Sequence, residues 1–430
     1  MAANARHIRL IGAVNIGSFR ISALIAGIDE SGEIEVLGSG HRAAKGIKRG
    51  YVTDMAAATH AVRDAIERAE KMAGMVVNSV WIGCSGAGLA SVVTPVEIEI
   101  GGRRIEDEDI EQLLQAARGA LAADGRTMLH AQPGCYVLDG AEGVINPRGL
   151  HADRLGVEVH QVLAEGAPMR NLTETVQNAH CDVDGVVAAP LAAGYACLTP
   201  EERELGVALV EMGGAVTNVA VFAGGMLAGL TSIQRGSDDI TNAVASALGI
   251  RVLEAERIKC VSGSAMASPV NNREMVRIAG ASEASDTAVA RGADDSGQVP
   301  RSELVAIIGA ELEPLMDDIT RALKDMGFVP GRGGRARPVV LTGGGAELPG
   351  LADYAQGVLG MPVRIGKAAP LRGLPDPHSV PGFSTLTGLV LYALDDPVDI
   401  RAIGSRFTMT TRSSGFASLE NLWRAMKAYF

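Results

Sequence analysis

Two stretches, VNIGSFRISALI (residues 14–25) and VEMGGAVTNVAV (residues 210–221), share one layout, and their repetition decides the fold. Each runs from an apolar strand through a polar or acidic residue and a glycine turn into a second strand. Each is followed by another turn and a third strand. A repeat offset by about 196 residues predicts two related α/β lobes. Around the first copy, IRLIGAVNIGSFRISALIAGI is broken at Gly17 and followed by the strand-like EIEVLGSG. A helix is predicted over 53–74, with Thr53 as N-cap and Gly74 closing its C-terminus, and VVNSVWIGCSG resumes as a strand. Around the second copy, VTNVAVF–AGG–MLAGLTSI reads as a buried hairpin and DDITNAVASALGIRVLEAERIK as helical. A polar stretch at 281–299 and a Gly/Arg-rich segment at 331–337 read as loops. They flank a helix over 301–326, and the strand-turn PVVLTGGGAELPG follows. Residues 84–165 change character, with strand-like VTPVEIEI, GCYVLDG and VEVHQVL around an acidic-headed helix, EDEDIEQLLQAARGALAA. They read as a small inserted α+β unit.

The chain has 430 residues, 47% of them hydrophobic and 21% charged, enough for a large core and against wholesale disorder. Its formal net charge of −11 repels phosphate backbones, so nucleic acid is not an expected partner. Residues 212–234 carry no charge and have the length of a membrane span, but Gly224 and Gly225 in their middle favour the hairpin. The N-terminus MAANARHIRLIGAVNIG has no apolar region leading to a cleavage site, so no signal peptide is expected. Cys84, Cys135, Cys181, Cys197 and Cys260 form no CxxC pair and read as reduced, mostly buried thiols of a cytoplasmic protein. The eight histidines are scattered and suggest no metal cluster. His41, His60 and His130 read as surface or structural residues.

Three glycine-rich turns follow strands: NIGS (15–18), EMGGAVT (211–217) and LTGGGAELPG (341–350). Backbone N–H groups in such turns make nests for phosphate oxygens, and glycine lets the phosphate come closer than a Cβ would allow. Any one of them could be an ordinary hairpin turn; three in this order, two within a repeat, are far more specific.

Their order and wording resemble the actin/Hsp70/sugar-kinase ATPase superfamily, and within it the bacterial cell-division FtsA family. PLAAGYACLTPEERELG (190–206) is similar to that family's connecting helix, and ALVEMGGAVTNVAVFAGG to its second phosphate turn. RGSDDITNAVASAL and EAERIK follow as in the family. VVLTGGGAELPGLADYAQGVLGMPVRIG (339–366) resembles the adenosine segment and is the most specific match. YVLDGAEGVINPRGLHADRLGVEVHQV (136–162) resembles the end of the inserted subdomain called 1C.

The resemblance implies an actin-like ATPase fold, α/β, with two duplicated lobes around a nucleotide cleft and the FtsA-type insert. Subdomain 1A would comprise 6–83 and 166–204, 1C 84–165, 2A 205–255 and 338–403, and 2B 256–337. A flexible tether at 404–417 and a membrane-targeting helix at 418–430 would follow. ATP with Mg²⁺ would sit against Asn15, Gly17, Ser18, Phe19, Arg20, Gly213, Gly214 and Thr217. Gly343, Gly344 and Gly345 would lie toward the ribose and adenine. Glu256 and Lys259 match the ExxK positions that reach the ribose and base in relatives; without the resemblance they would read as a solvated i,i+3 ion pair. Asn15 and Glu211 stand where relatives carry aspartates. They would hold Mg²⁺ indirectly, through water, with Glu211 as the catalytic acid position. Asn15 keeps an oxygen but loses the charge, Arg20 replaces a usual lysine, and Ala215-Val216 replace Gly-Thr. An ATP-binding protein with at most weak ATPase activity is the expectation.

Ser418 can cap a terminal helix that places Leu419, Leu422, Trp423, Met426 and Phe430 on one face. Glu420, Asn421, Arg424 and Lys427 fall on the other. The last 30 residues are basic in an otherwise acidic chain, which suits anionic lipid, whereas a helix docked on the protein's own core would show the same periodicity. The resemblance implies a filament-forming adaptor, peripheral on the cytoplasmic side of the bacterial inner membrane at the division site. Its partners would be the C-terminal tail of FtsZ, further copies of itself, membrane lipids and later division proteins. FtsZ would dock near SELVAIIGAELEPLMDDITRAL (302–323), where Glu311 and Pro314 depart from the family's usual Arg and Glu. The alternatives are another actin-like membrane scaffold of the pilus-assembly type, or a sugar- or acetate-kinase-like enzyme.

Overall fold

Chain order explains the architecture of the computed structural model, which describes residues 9–86, 88–123, 125–278, 297–331, 337–368 and 370–402. The tether 404–417, the terminal helix 418–430, and most of the loops 281–299 and 331–337 lie outside the described residues. Strands β1 (Arg9–Ile16), β2 (Arg20–Ile28) and β3 (Ile34–Ala43) form a meander, followed by a short ribbon of β4 (Ile47–Lys48) and β5 (Tyr51–Val52). Helix α1 (Met55–Ala73) then leads into β6 (Ser79–Cys84). The α1 N-cap is Asp54 rather than Thr53: the Asp54 carboxylate accepts from the Ala57 amide at 3.0 Å, while the Thr53 amide is used by the Gly46 carbonyl. Gly74 closes the helix in the left-handed region, as read from the sequence.

The insert contributes β7 (Ala90–Glu99), α2 (Asp107–Ala120), β8 (Thr127–Leu138), β9 (Ala141–Val144) and β10 (Arg154–Ala164). It has its own apolar core around Leu113, Leu155, Val157 and Val159. The first lobe then resumes with α3 (Gly166–Asn178), β11 (Asp182–Ala188), α4 (Ala189–Cys197) and α5 (Pro200–Leu205).

The second lobe opens with β12 (Val207–Met212), β13 (Thr217–Ala223) and β14 (Met226–Ile233), so the uncharged stretch at 212–234 is the expected hairpin. None of the described helices is long and apolar enough to cross a membrane. The pattern read as one helical run is two helices, α6 (Ser237–Leu248) and α7 (Val252–Ser262), separated where Gly249 turns left-handed. The ribbon β15 (Met275–Arg277)–β16 (Gln298–Pro300), helix α8 (Arg301–Asp325), β17 (Val339–Thr342), α9 (Leu351–Leu359), β18 (Val363–Ile365) and α10 (Ser384–Asp395) complete it.

The repeat is visible in the sheets. The first lobe's sheet has the order β3-β2-β1-β6-β11, and the second lobe's β14-β13-β12-β17-β18, with the same mixture of antiparallel and parallel pairs. A single residue pair, Thr231 with Ala90, carries the second sheet on into the insert's strands β7-β10-β8-β9.

Each lobe contributes a helix that packs on the other lobe. Helix α4 leaves the first sheet and lies on β12 and β13, where Gly194 faces the Phe222 ring. Helix α10 leaves the second lobe and lies on β1 and β6. The two helices cross at Gly388, so close that a Cβ there would stand 1.8 Å from the Ala192 carbonyl oxygen. One apolar cluster consequently runs through both lobes, from Val14 and Ile82 across Ala192 and Leu389 to Leu209 and Phe222. All five cysteines are free; Cys84, Cys181 and Cys197 are buried, Cys135 is half-buried, and Cys260 is exposed. Buried His130 bonds the Ala188 amide and the Tyr392 hydroxyl, and burial lowers its pKa to about 4, so it is a neutral structural residue.

Because Ala192 is backbone-fixed in a helix, Gly388→Ala forces the crossing apart. It is expected to cost about 1–3 kcal/mol in chemical denaturation. Gly357→Ala in α9, where a Cβ meets open space, is the control, expected to be neutral or stabilising by up to about 1 kcal/mol.

Candidate functional site: a glycine-lined cleft between the lobes

The turns that end β1 and β12 close in the same way. The Gly17 amide donates to the Arg20 carbonyl at 3.1 Å, and the Gly213 amide to the Val216 carbonyl at 2.9 Å. A Cβ on Gly17 would lie 2.9 Å from the Arg20 oxygen, and one on Gly213 2.7 Å from the Val216 oxygen, so each turn needs glycine. The third turn follows β17 at Gly343 (φ +82°), where a Cβ would strike the Met212 carbonyl at 2.5 Å. Together they edge a cavity of about 340 Å³ between the lobes, at the small end of the usual range for ligand sites.

Of the residues expected here, Asn15, Gly17, Ser18, Phe19, Arg20, Glu211, Gly213, Gly214, Glu256, Lys259, Gly343, Gly344 and Gly345 line the cavity. Thr217 does not line it: it is fully buried, and its hydroxyl donates to the Arg235 carbonyl at 2.8 Å, bracing the second turn from behind.

The repeat extends to the cleft's polar floor. Asn15 pairs across the sheet with Ser22 and Glu211 with Asn218, while Gly83 and Thr342 occupy the matching parallel positions. The two copies are used differently. The Asn15 Oδ1 is buried with no hydrogen-bond partner among the described residues. Glu211 is engaged at both oxygens: Thr385 Oγ1 donates to its Oε1, and Asn218 Nδ2 donates to its Oε2 at 2.9 Å. The Ser232 hydroxyl holds the Asn218 amide oxygen at 2.7 Å. Burial raises the Glu211 pKa, and the two hydrogen bonds oppose that rise.

The cations are also committed. The Arg20 guanidinium lies 3.9 Å from the centre of the Phe383 ring and donates to the Gly382 carbonyl at 3.3 Å; burial lowers its pKa, against the nearby charge of Glu347. Lys259 is not a solvated partner, since its side chain is only 8% exposed. Its Nζ reaches Glu256 Oε2 at 2.7 Å, Thr241 Oγ1 at 2.7 Å and the Ser237 carbonyl at 3.1 Å. Burial alone would raise the Glu256 carboxyl, but the bonds from Lys259 and Thr241 outweigh it and hold the pKa down. At the cleft mouth Arg49, from the first lobe, reaches Asp239 at the start of α6 at 3.2 Å. Among the described residues no group of His, Cys, Asp and Glu could hold a metal by itself.

The geometry fits a polyanion. Three turns offer backbone N–H groups, and a Cβ on Gly344 would meet nothing within 4 Å. The orphaned Asn15 oxygen also suits a hydrated cation, because Mg²⁺ takes most of its ligands from phosphate and water and needs few protein oxygens.

Residues 208–388 match a family profile described as cell division protein FtsA, and residues 86–163 one described as the SHS2 domain inserted in FtsA. A cell division protein FtsA of Agrobacterium fabrum is 33% identical over 98% of this chain and 95% of its own length. That of Escherichia coli K12 is 30% identical over 89% and 90% respectively. The chain belongs to the FtsA cell-division family. Among solved structures, the PilM-PilN type IV pilus biogenesis complex aligns with TM-score 0.58 at 14% identity, covering 89% of this chain and 98% of that one. MreB5 of Spiroplasma citri bound to AMPPNP aligns with TM-score 0.53 at 11% identity, covering 94% and 99%. At such identities these likenesses establish the actin-type fold of this FtsA-family chain and nothing finer.

Sequence reading missed Ser22, Ser85, Asn218, Ser237, Glu347, Gly382 and Thr385, all of which line the cleft. Ser22 and Asn218 were within reach: each stands seven residues after its turn's leading polar residue, in both copies of the repeat. Thr385 and Gly382 come from a segment with no local motif.

Removing Lys259 leaves Glu256 and the Thr241 hydroxyl without their shared donor. Lys259→Met is expected to lose about 2–4 kcal/mol in urea denaturation, and Glu256→Gln added to it should recover a substantial part.

Proposed function

We propose that this FtsA-family protein binds ATP with Mg²⁺ in the cleft between its lobes, hydrolyses it weakly or not at all, and polymerises as an actin-like filament. The filament would tether the FtsZ C-terminal tail to the cytoplasmic face of the inner membrane at the division site and recruit later division proteins. The subdomain limits expected from the sequence, and the expected site residues other than Thr217, are part of this proposal. The observation that carries the nucleotide part is the asymmetric floor of the cleft: a buried Asn15 oxygen without a partner among the described residues, and a Glu211 held by a hydrogen bond at each oxygen. Glycine turns at 15–18 and 211–217 would wrap the phosphates, and Gly343–Gly345 would leave room for the nucleoside. Mg²⁺ would supply neutralisation of phosphate charge. Asn15 offers it, or its water, a neutral oxygen where a carboxylate would bind more firmly. Both Glu211 oxygens already accept hydrogen bonds, so its ability to orient an attacking water is reduced. Retained binding with weak turnover is the expectation.

The membrane step rests on residues 418–430. Each large apolar side chain gives roughly 1.5–3 kcal/mol at full burial and less at an interface, so one tail binds weakly. A filament presenting many tails would bind far more tightly through effective concentration.

Restoring the carboxylate in Asn15→Asp should raise steady-state ATP turnover by about tenfold or more, or ~1.4 kcal/mol of barrier. Brisk turnover by the unaltered protein, unchanged in the variant, would contradict weak hydrolysis. Trp423→Glu should abolish co-sedimentation with anionic liposomes, and undiminished co-sedimentation would remove the membrane step.

A further inference from the structure

A second and larger cavity, of about 840 Å³, lies away from the cleft, where the edge of the first sheet meets α3, the start of β8 and the last described residues of the chain. Trp81, Met169 and Val186 give it an apolar floor, and Glu174, Asp184 and Asp396 stand around it against Arg170. Glu174 and Asp184 are exposed. The chain's exit is fastened to this cavity. Ile400 is fully buried, and Asp399 accepts from the Ala131 amide at 3.3 Å and pairs with Arg401 at 2.7 Å. The Arg401 guanidinium donates to the Met128 carbonyl at 2.6 Å and to that of Leu129. Arg401 and Ala402 themselves line the cavity, so everything beyond residue 402 starts from its rim.

We propose that residues 418–430 dock in this cavity when no membrane is present, so that the protein covers its own membrane-seeking face. Three arguments select this occupant. The first is reach. Fifteen residues, 403–417, separate the rim from Ser418, and a random-coil chain of that length would have a root-mean-square span of roughly 20 Å. A segment tethered so closely experiences an effective concentration on the order of millimolar, enough to keep even a weak contact mostly formed. The second is charge. Beyond residue 402 the chain carries Arg406, Arg412, Arg424 and Lys427 against Glu420 alone, opposite in sign to the acids at the cavity. The third is shape. Trp423, Leu422 and Met426 are large apolar side chains that helical periodicity would place on one face, and the cavity has an apolar floor and the volume to receive several of them.

Docking and membrane insertion then compete for one apolar face. Anionic lipid releases the segment by offering it a second basic-residue partner and a larger apolar phase, and polymerisation favours release further by multiplying the lipid contacts. The membrane consequence rests on the proposed function; the docking itself does not.

The full-length chain has two tryptophans, one on each side of the proposed contact: Trp81 at the cavity and Trp423 in the segment. Acrylamide quenching in lipid-free buffer tests it. With Trp81→Phe as background, Trp423 should be quenched several-fold less than in a synthetic peptide of residues 403–430. Glu174→Lys with Asp184→Lys should move quenching toward the peptide value and strengthen partition to phosphatidylglycerol-containing vesicles about fivefold. A second measurement leaves the cavity intact: Trp81 should be about twofold more quenchable in Trp423→Glu than in Trp423→Phe. Trp423 as exposed as in the free peptide, together with a Trp81 indifferent to residue 423, would overturn the proposal. Protection that grows with protein concentration would overturn it too, by assigning the occupant to a second copy. Protection that persists while vesicles bind neither the parent nor the charge-reversed chain would support docking and refute the membrane reading.

Discussion

The crossing of α4 and α10 at Gly388 is the constraint on which the rest of the molecule depends. Each lobe sends one helix onto the other lobe's sheet, so one apolar cluster is shared between them. Close packing transmits displacement, because protein interiors have little slack. With the Ala192 carbonyl pressed against Gly388, the lobes cannot separate at the crossing without opening the shared core. Glu211 ties the crossing to the cleft, because its carboxylate at the end of β12 is held by Thr385 in the first turn of α10. The Arg49–Asp239 pair joins the first lobe to the start of α6 in the second.

Duplication gave the cleft two equivalent floors, and the two have diverged. Asn15 with Ser22 and Glu211 with Asn218 stand at matching registers, but only the second carries a carboxyl group, and it is held by a hydrogen bond at each oxygen. Electrostatic catalysis requires oriented groups that are free to act where charge develops, and the proposed weak turnover rests on this difference between the two floors.

Local patterns carried most of the fold. The strand–turn–strand repeat, the Gly224-Gly225 hairpin and the Gly74 cap depend on a few adjacent residues, so they can be read from the chain. The glycine turns were legible for the same reason. What could not be read depends on long-range placement. Thr385 reaches Glu211 across 174 positions, and the burial of Lys259 is decided by α6, so a pair that looks solvated on one helix proves to be buried. Thr217 carries the family's wording but turns its hydroxyl behind the loop, because strand alternation sends it to the other face from Asn218. The Asp54 cap was missed by one residue, since both Thr and Asp suit the position and only the amide geometry separates them.

Titration calorimetry of ATP into the full-length protein, with Mg²⁺ present, tests the central claim most directly. The account predicts saturable binding at one site per chain, weakened when Gly344→Glu fills the open side of the third turn with a negative charge. An absence of binding heat at millimolar ATP over a range of temperatures, with no accompanying rise in Tm, would contradict it.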